Sequence, residues 1–417
     1  MSLLIPRTAD IRSITTRFDF PSDGLHTLWP LFTQDLPKCE TIDICPSWEH
    51  VRGQLDAGLE EYVSNISLSD ERLPQLHRIR CYGIALPAAP AFWGRLSSLE
   101  LVLSFQNEQE AVGVAVDLVS CIRHCAVLRR LRVADPIILL TVPRVSSGIP
   151  EVTPARCRLP IHLPFLEELF VDSTQSLFVV FLLASTRGGD RLAKVNIRSW
   201  MKPVNVSGIV HNLIPIGVRQ CTLPRLKTMV MTANDVGTGL HTLGFWSSVP
   251  VPESLSLMRL HEDEAHHRED PNEFSFILRF VDPAGHSTDS VAILCDTFAS
   301  CPLRELTLSD RPHPHDRARW ARVFTTFREL RALRLLHLRT AEVVLLALAA
   351  LTTYSAMNRG LSHPCAQALQ TLSIFGTMRS SLVTQRALRA LVLTKQSEQF
   401  VSVLMACEIG QELMGIK

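Results

Sequence analysis

Residues 163–171, LPFLEELFV, decide the fold of this chain, because the same phrase of Leu-Pro followed by spaced apolar residues recurs. Three further copies stand at residues 36–44 (LPKCETIDI), 73–81 (LPQLHRIRC) and 223–231 (LPRLKTMVM). With Leu-Pro fixed in front, a random chain of this composition would contain on the order of 0.2 copies. Four copies therefore indicate an internal repeat.

Degenerate copies of the phrase fill the intervals between these four. Clear ones are CAVLRRLRVAD at 125–135, CPLRELTLSD at 301–310 and FRELRALRL at 327–335. Counted at the first apolar residue, the repeats start near 11, 39, 76, 96, 128, 166, 192, 226, 255, 303, 330, 369 and 388. Their mean spacing of about 31 residues lies slightly above that of regular leucine-rich repeats, and the uneven gaps indicate insertions.

Each repeat is predicted to be a short strand followed by a helix. Alternating apolar residues place one face of the strand inward, since side chains alternate with period two. After residue 46 the pattern changes to helical spacing, and the residues that share one face are Trp48, Val51, Leu55, Leu59 and Tyr62. Links between parallel strands are right-handed. The prediction is an α/β fold, namely a leucine-rich-repeat solenoid: a right-handed β/α superhelix with irregular repeats and a concave parallel sheet.

One continuous domain is predicted over residues 1–417, with irregular repeats over about 11–395. Two insertions interrupt it. The first, near 136–160, is a loop rich in proline, and the second, near 261–285, is a polar run followed by an extra strand pair. At the C-terminal end, Phe400, Val403, Leu404 and Cys407 share one helical face. This spacing predicts a closing helix over about 397–413.

Composition and targeting signals narrow the function classes. Hydrophobic residues make up 46% of the 417 residues and charged residues 20%, which excludes a largely disordered chain. A net charge of +1 gives no overall field for nucleic acid or an anionic membrane, so neither is expected as a partner. The N-terminus lacks a signal-peptide pattern, and eleven cysteines without a Cys-x-x-Cys pair favour free thiols. An intracellular protein, cytoplasmic or nuclear, is predicted.

No motif for catalysis or cofactor binding stands out. The chain contains no P-loop, no dinucleotide fingerprint and no Gly-x-Ser-x-Gly elbow. His261, His266 and His267 lie near acidic residues, but they lack the spacing that puts two imidazoles on one helical face, so a solvated loop is predicted. The sequence therefore predicts no enzyme activity, no cofactor and no metal site. A protein-binding scaffold is favoured.

Two candidate surfaces for a protein partner follow from the repeat pattern. The concave sheet face carries side chains of mixed chemistry between the inward leucines, and these are Glu168, Phe170, Thr228, Val230, Glu305 and Thr307. The alternative is a basic patch on the helical side, interleaved with Trp320, and its members are Arg317, Arg319 and Arg322. These arginines also fit a solvated helix face whose stems cover apolar surface. The concave face is favoured, because repeat solenoids most often bind there.

The Leu-Pro-x-Leu-x-x-Leu phrases, the irregular repeat lengths and the free thiols resemble the leucine-rich-repeat region of fungal F-box-like proteins, over roughly Ile11 to Leu393. The resemblance implies that the repeats select a substrate for ubiquitination, while an N-terminal F-box module docks on a cullin-ligase adaptor. No F-box phrase precedes Ile11, so cullin-ligase components are expected as partners only if that module is supplied. The alternatives are a stand-alone leucine-rich-repeat protein unrelated to ubiquitination and a truncated gene product.

Overall fold

The computed structural model describes residues 5–18, 31, 34–46, 68, 70–82, 90–103, 108–134, 161–173, 175–188, 191–200, 223–235, 241–247, 275–282, 290–310, 317–335, 343–348, 350, 369–375 and 402–406. These residues belong to two compact units. The first unit comprises Met1–Trp200 with Asn212–Cys221, and the second comprises Met201–His211 with Thr222–Lys417. Both units combine a sheet with helices, so the predicted α/β class is confirmed.

The first unit contains a sheet of seven parallel strands. In chain order the strands of this unit are β1 Ser13–Phe18, β2 Thr41–Pro46, β3 Arg78–Tyr82, β4 Ser98–Val102, β5 Arg130–Ala134, β6 Ile161–Leu163, β7 Glu168–Ser173, β8 Thr186–Gly188 and β9 Lys194–Trp200. The large sheet has the order β1-β2-β3-β4-β5-β7-β9, and β6 pairs separately with β8. Since the sheet follows the order of the chain, each strand pairs with the strand of the preceding repeat, as the sequence predicts.

Three helices of the first unit cover the inward side of its sheet. They are α1 Pro90–Gly94, α2 Glu108–Ile122 and α3 Ser176–Ser185. On α2 the buried residues follow one stripe at three- and four-residue spacing, and they are Ala111, Ala115, Leu118, Val119 and Ile122. The α3 sequence SLFVVFLLAS is apolar nearly all round, which suits a helix that contacts α2, β7 and β9 together.

The second unit has a mixed sheet of seven strands. They are β10 Thr228–Asp235, β11 His241–Ser247, β12 Ser275–Asp282, β13 Glu305–Asp310, β14 Ala332–Leu335, β15 Thr371–Phe375 and β16 Ser402–Ala406. The order is β12-β11-β10-β13-β14-β15-β16, with β11 antiparallel to both its neighbours and the other pairs parallel. Helices α4 Ser290–Phe298 and α5 Arg317–Thr326 pack against each other, and residues 343–348 are also helical.

The Leu-Pro phrase forms a turn immediately before its strand. In all four copies the leucine carbonyl oxygen accepts the backbone N–H three residues later, at 3.0 to 3.2 Å. Proline is favoured second in such a turn, because its ring presets φ and no N–H is needed there. The leucine side chain is buried in each copy: Leu36, Leu73, Leu163 and Leu223. The phrase therefore couples a reversal of the chain to burial of its first apolar residue.

Eleven of the thirteen predicted repeat starts precede a strand by two residues, and the starts near 255 and 388 lie outside the described residues. The inward positions stack in register from strand to strand. One such ladder of buried residues in the first unit is Ile14, Ile42, Ile79, Leu99, Leu131, Leu169 and Val195. Burying each large side chain stabilises the fold by about 1.5–3 kcal/mol before chain entropy is counted. The predicted inward register of Leu166, Leu169 and Val171, and of Leu303, Leu306 and Leu308, is confirmed.

The sequence predicts two insertions and a closing helix at the C-terminal end, and the structure bears on these three predictions differently. The insertion near 136–160 lies outside the described residues. In the insertion near 261–285 the described residues, 275–282, form the strand β12, and its antiparallel partner is β11, which precedes the insertion. The closing helix expected over about 397–413 is wrong for its described part, because residues 402–406 form β16. This strand satisfies its backbone hydrogen bonds on β15. One continuous domain over residues 1–417 stays a prediction.

Candidate functional site

The outward face of the first unit's sheet, opposite the buried ladder, carries a row of side chains four residues after each repeat start. We call it the charged row, and in register it comprises Asp43, Arg80, Glu100, Arg132, Phe170 and Asn196. The Arg80 Nε atom lies 3.2 Å from Glu100 Oε1 and 3.8 Å from Asp43 Oδ1. Each side chain of these pairs is half-buried. Charges alternate along the row, so it neutralises itself.

Arg132 contacts residues on both neighbouring strands, β4 and β7. Its Nε atom lies 3.1 Å from Glu168 Oε1, and its Nη1 atom lies 4.0 Å from Glu100 Oε2. The guanidinium also stacks over the Phe170 ring, with Cζ 5.0 Å from the ring centre. Arginine suits this position, because its planar cation binds carboxylates at its edge and an aromatic ring at its face. Arg132, Glu168 and Phe170 therefore form one prearranged cluster.

Glu168 and Phe170, two of the predicted site residues, lie on β7 and form this cluster with Arg132 of β5. Glu168 is not an isolated recognition group, since Arg130 Nε also approaches its Oε2 atom at 3.6 Å. Phe170 is half-buried and forms part of the surface next to the guanidinium of Arg132. A partner at this site would meet a cation and an aromatic ring whose positions are already set, which lowers the ordering cost of binding.

The other four sheet-face residues lie together in the second unit. Thr228 pairs in register with Glu305, and Val230 pairs with Thr307, on the parallel strands β10 and β13. Glu305 is exposed and its Oε2 atom lies 3.8 Å from Arg334 Nη2 on β14. Thr307 is only 7% exposed, so its hydroxyl contributes little surface. This cluster offers less charge and less aromatic area than the one around Arg132.

The alternative basic patch differs from the pattern that the sequence suggests. Trp320 is fully buried in the core, so the basic and aromatic residues do not share a surface. Arg319 and Arg322 are exposed on α5, and Arg322 Nη2 lies 2.5 Å from Asp296 Oδ1 on α4. Arg317 begins α5, and its side chain lies outside the described residues. The charge available to a partner is thus reduced at Arg322.

Six described cysteines are free thiols, and four of them have a raised pKa. Burial raises the pKa of Cys125 to about 12 and that of Cys301 to about 12. Burial, with a smaller effect of Asp117, raises the pKa of Cys121 to about 11. A catalytic thiol needs a depressed pKa, since the thiolate is the nucleophile. Cys121, Cys125 and Cys301 therefore favour the neutral thiol at neutral pH.

The described part of the chain contains no cluster of side chains that could serve as metal ligands. Among the residues described, no three His, Cys, Asp or Glu side chains group closely enough to hold a metal ion. The histidines 261, 266 and 267 lie outside that part. No helix within the described ranges has both the length and the apolar character needed to cross a membrane.

Sequence reasoning missed Asp43, Arg80, Glu100 and Arg132 as site residues. A signal for them was present, because each stands four residues after a predicted repeat start, the position that Phe170 occupies in its own repeat. What the sequence alone did not show is that the strands pair without slippage, so that these positions become direct neighbours.

Comparison of the chain with protein-family models finds no match, and comparison with curated proteins finds none either.

Proposed function

We propose that this protein is a non-enzymatic protein-binding scaffold built as a leucine-rich-repeat solenoid, a right-handed β/α superhelix with its parallel sheet on the concave side. Support comes from the eleven predicted repeat starts that precede a strand by two residues, because the residue three positions after each of these starts is buried. Parallel strands joined in chain order through buried helices are the local geometry from which such solenoids are built.

The observation that carries the binding role is the cluster of Arg132, Glu168 and Phe170 in the charged row. A sheet face needed only for solubility has no requirement for a stacked cation and ring between neighbouring strands. Arginine and aromatic side chains are the types most often responsible for binding energy at protein interfaces. Arg132 is held by ion pairs with Glu168 at 3.1 Å and Glu100 at 4.0 Å, its guanidinium lies over the Phe170 ring, and both side chains remain partly accessible.

For the biological setting, we propose that the bound protein is a substrate presented for ubiquitination. This part rests on the resemblance of the Leu-Pro repeat phrases to F-box-like proteins. In this setting the cullin-ligase components associate through an F-box module, and the outward face of the sheet holds the substrate. A stand-alone repeat protein would use the same face for a partner unrelated to ubiquitination.

Affinity capture with three forms of the protein tests the proposal. The sheet-face variant is Arg132→Ala with Phe170→Ala, and the matched control is Arg123→Ala with Val116→Ala, which removes an exposed arginine and an exposed apolar residue from the helical side. Proteins that quantitative mass spectrometry recovers with the wild type and the control, and loses with the sheet-face variant, would support the scaffold. Identical recovery with all three forms would contradict it.

The identity of the captured proteins also distinguishes the two biological settings, substrate selection for ubiquitination and a stand-alone scaffold. Recovery of cullin-ligase components beside the partner supports substrate selection for ubiquitination, and a partner captured without them supports the stand-alone scaffold. Thermal unfolding of each variant must match the wild type within a few degrees, since loss of Arg132 leaves Glu100 and Glu168 with fewer partners.

A further inference from the structure

A second row of outward side chains runs beside the charged row, two residues after each repeat start. We call it the basic row, and in register it comprises Thr41, Arg78, Ser98, Arg130, Glu168 and Lys194. It carries three cations and one carboxylate, whereas the charged row has two arginines and two carboxylates. Since the chain as a whole has a net charge of only +1, the excess of positive charge in the basic row is a local feature of this face.

The single carboxylate of the basic row is already engaged. Glu168 is largely buried, with Arg132 Nε 3.1 Å and Arg130 Nε 3.6 Å from its oxygens. Its negative charge is therefore shared between two guanidinium groups and adds little to the field in front of the sheet. Arg78 is exposed, and the side chain of Arg130 is 58% exposed. Arg78 and Arg130 therefore present exposed positive charge in front of β3 and β5.

The spacing of these cations is regular. Arg78 and Arg130 are separated by one strand, β4, and Arg130 and Lys194 by one strand, β7. Neighbouring strands lie about 4.8 Å apart, so alternate strands are about 9.6 Å apart. A peptide in the extended polyproline II conformation has three residues per turn and advances about 3.1 Å per residue, so every third side chain recurs on the same side at about 9.3 Å. The distance between alternate strands therefore matches the distance between every third side chain of such a peptide.

We propose that the basic row binds an extended acidic peptide segment of the partner, laid across the strands, with a carboxylate at every third residue. Arg78, Arg130 and Lys194 each face one carboxylate, and Phe170 provides apolar contact beside them. The inference rests on the proposed function, because it names the chemistry of the partner at the same face. It adds the charge and the spacing that the partner's segment must have.

The test measures binding of a fluorescent synthetic peptide, with glutamate at every third position and serine between, to the full-length protein by anisotropy. The control peptide has glutamine in place of each glutamate. We expect saturable binding of the acidic peptide only, weakening as salt shortens the screening length from about 8 Å toward about 3 Å. Arg78→Glu with Lys194→Glu should weaken it about tenfold, whereas Arg123→Glu on the helical side should leave it unchanged.

The milder pair Arg78→Gln with Lys194→Gln keeps the test valid if charge reversal impairs folding, and it should weaken binding about threefold. Equal binding of the acidic and amide peptides, or equal loss with Arg123→Glu, would overturn the inference. A short single-stranded DNA that competes as well as the acidic peptide would overturn it too, since the site would then be a general polyanion site. If the acidic peptide fails while a captured partner still requires Phe170, the inference falls and the proposed function stands.

Discussion

The backbone N–H of Leu166 donates to the carbonyl oxygen of Leu163 at 3.2 Å and closes a turn that contains Pro164. Both leucines are buried, so the turn positions two core residues before β7 begins. The next N–H groups, those of Glu167 and Glu168, both donate to Arg129 of the preceding repeat, at 2.8 and 3.0 Å. A local turn thus precedes β7, and a backbone contact with the preceding repeat fixes its register.

The inward ladder predicts a large cost for truncating a central leucine. Leu306 is fully buried on β13, so Leu306→Ala should lower the free energy of unfolding by about 2–5 kcal/mol. The neighbouring residue Glu305 is exposed, and Glu305→Ala should change it by less than about 0.5 kcal/mol. Urea unfolding measures both. Similar values for the two variants would show that the register of β13 is wrong.

The ion pair between Arg132 and Glu168 should give a measurable coupling energy. A double-mutant cycle of Arg132→Ala and Glu168→Ala is expected to give about 0.5–1 kcal/mol, a modest value because the arginine side chain is 40% exposed. The control pair, Arg129 with Glu167 at 3.4 Å, is more exposed on both sides and should give less than about 0.3 kcal/mol. A larger coupling for the control pair would contradict the prearranged cluster.

The raised pKa of Cys125 predicts a loss of stability at alkaline pH. Its folded pKa of about 12 exceeds the ordinary value of 9.0, so the folded state favours the neutral thiol. The stability that the folded state gains by keeping this thiol neutral is fully present below about pH 9 and is lost as the pH rises from there toward 12. At about pH 10.5 the loss is on the order of 1–2 kcal/mol. Thermal unfolding of Cys125→Ala should show a shallower decline between pH 8 and 10.5 than the wild type, and equal slopes would refute this.

Charge reversal on α5 should leave partner capture unchanged if the sheet face is the binding surface. Arg317→Glu, Arg319→Glu and Arg322→Glu together remove the alternative basic patch, and the Arg322 change also breaks its contact with Asp296. Capture by mass spectrometry should recover the same partner as the wild type. If this variant alone loses the partner, and the loss grows with salt in the wild type, the arginine patch is the docking site.

Much of the fold could be predicted from the sequence, because the repeat phrase carries both the turn and the inward positions. Strand β7 begins at Glu168, two residues after the predicted start at Leu166. Strand β11 could not be predicted, since HTLGFWS at 241–247 contains no repeat phrase and has Gly244 at its centre. The spacing of Phe400, Val403 and Leu404 favours a helix, but the free edge of β15 selects a strand there.

The candidate site was predicted only in part. Glu168 and Phe170 follow from alternation along one strand, which is local information. Their partners Arg132 and Glu100 come from other repeats, and their proximity depends on the pairing of β4, β5 and β7 in register. Sequence spacing does not give side-chain geometry between strands, so the charged row needed the structure.

The affinity of a purified captured partner for three forms of the protein tests the central claim most directly. The claim is that the outward sheet face around Arg132 and Phe170 binds a protein partner. Titration calorimetry should show that Arg132→Ala with Phe170→Ala weakens binding by about tenfold or more, a loss of about 1.4 kcal/mol or more, as expected at a central contact. The matched variant Arg123→Ala with Val116→Ala should bind as the wild type does. Equal affinity of all three forms would contradict the account.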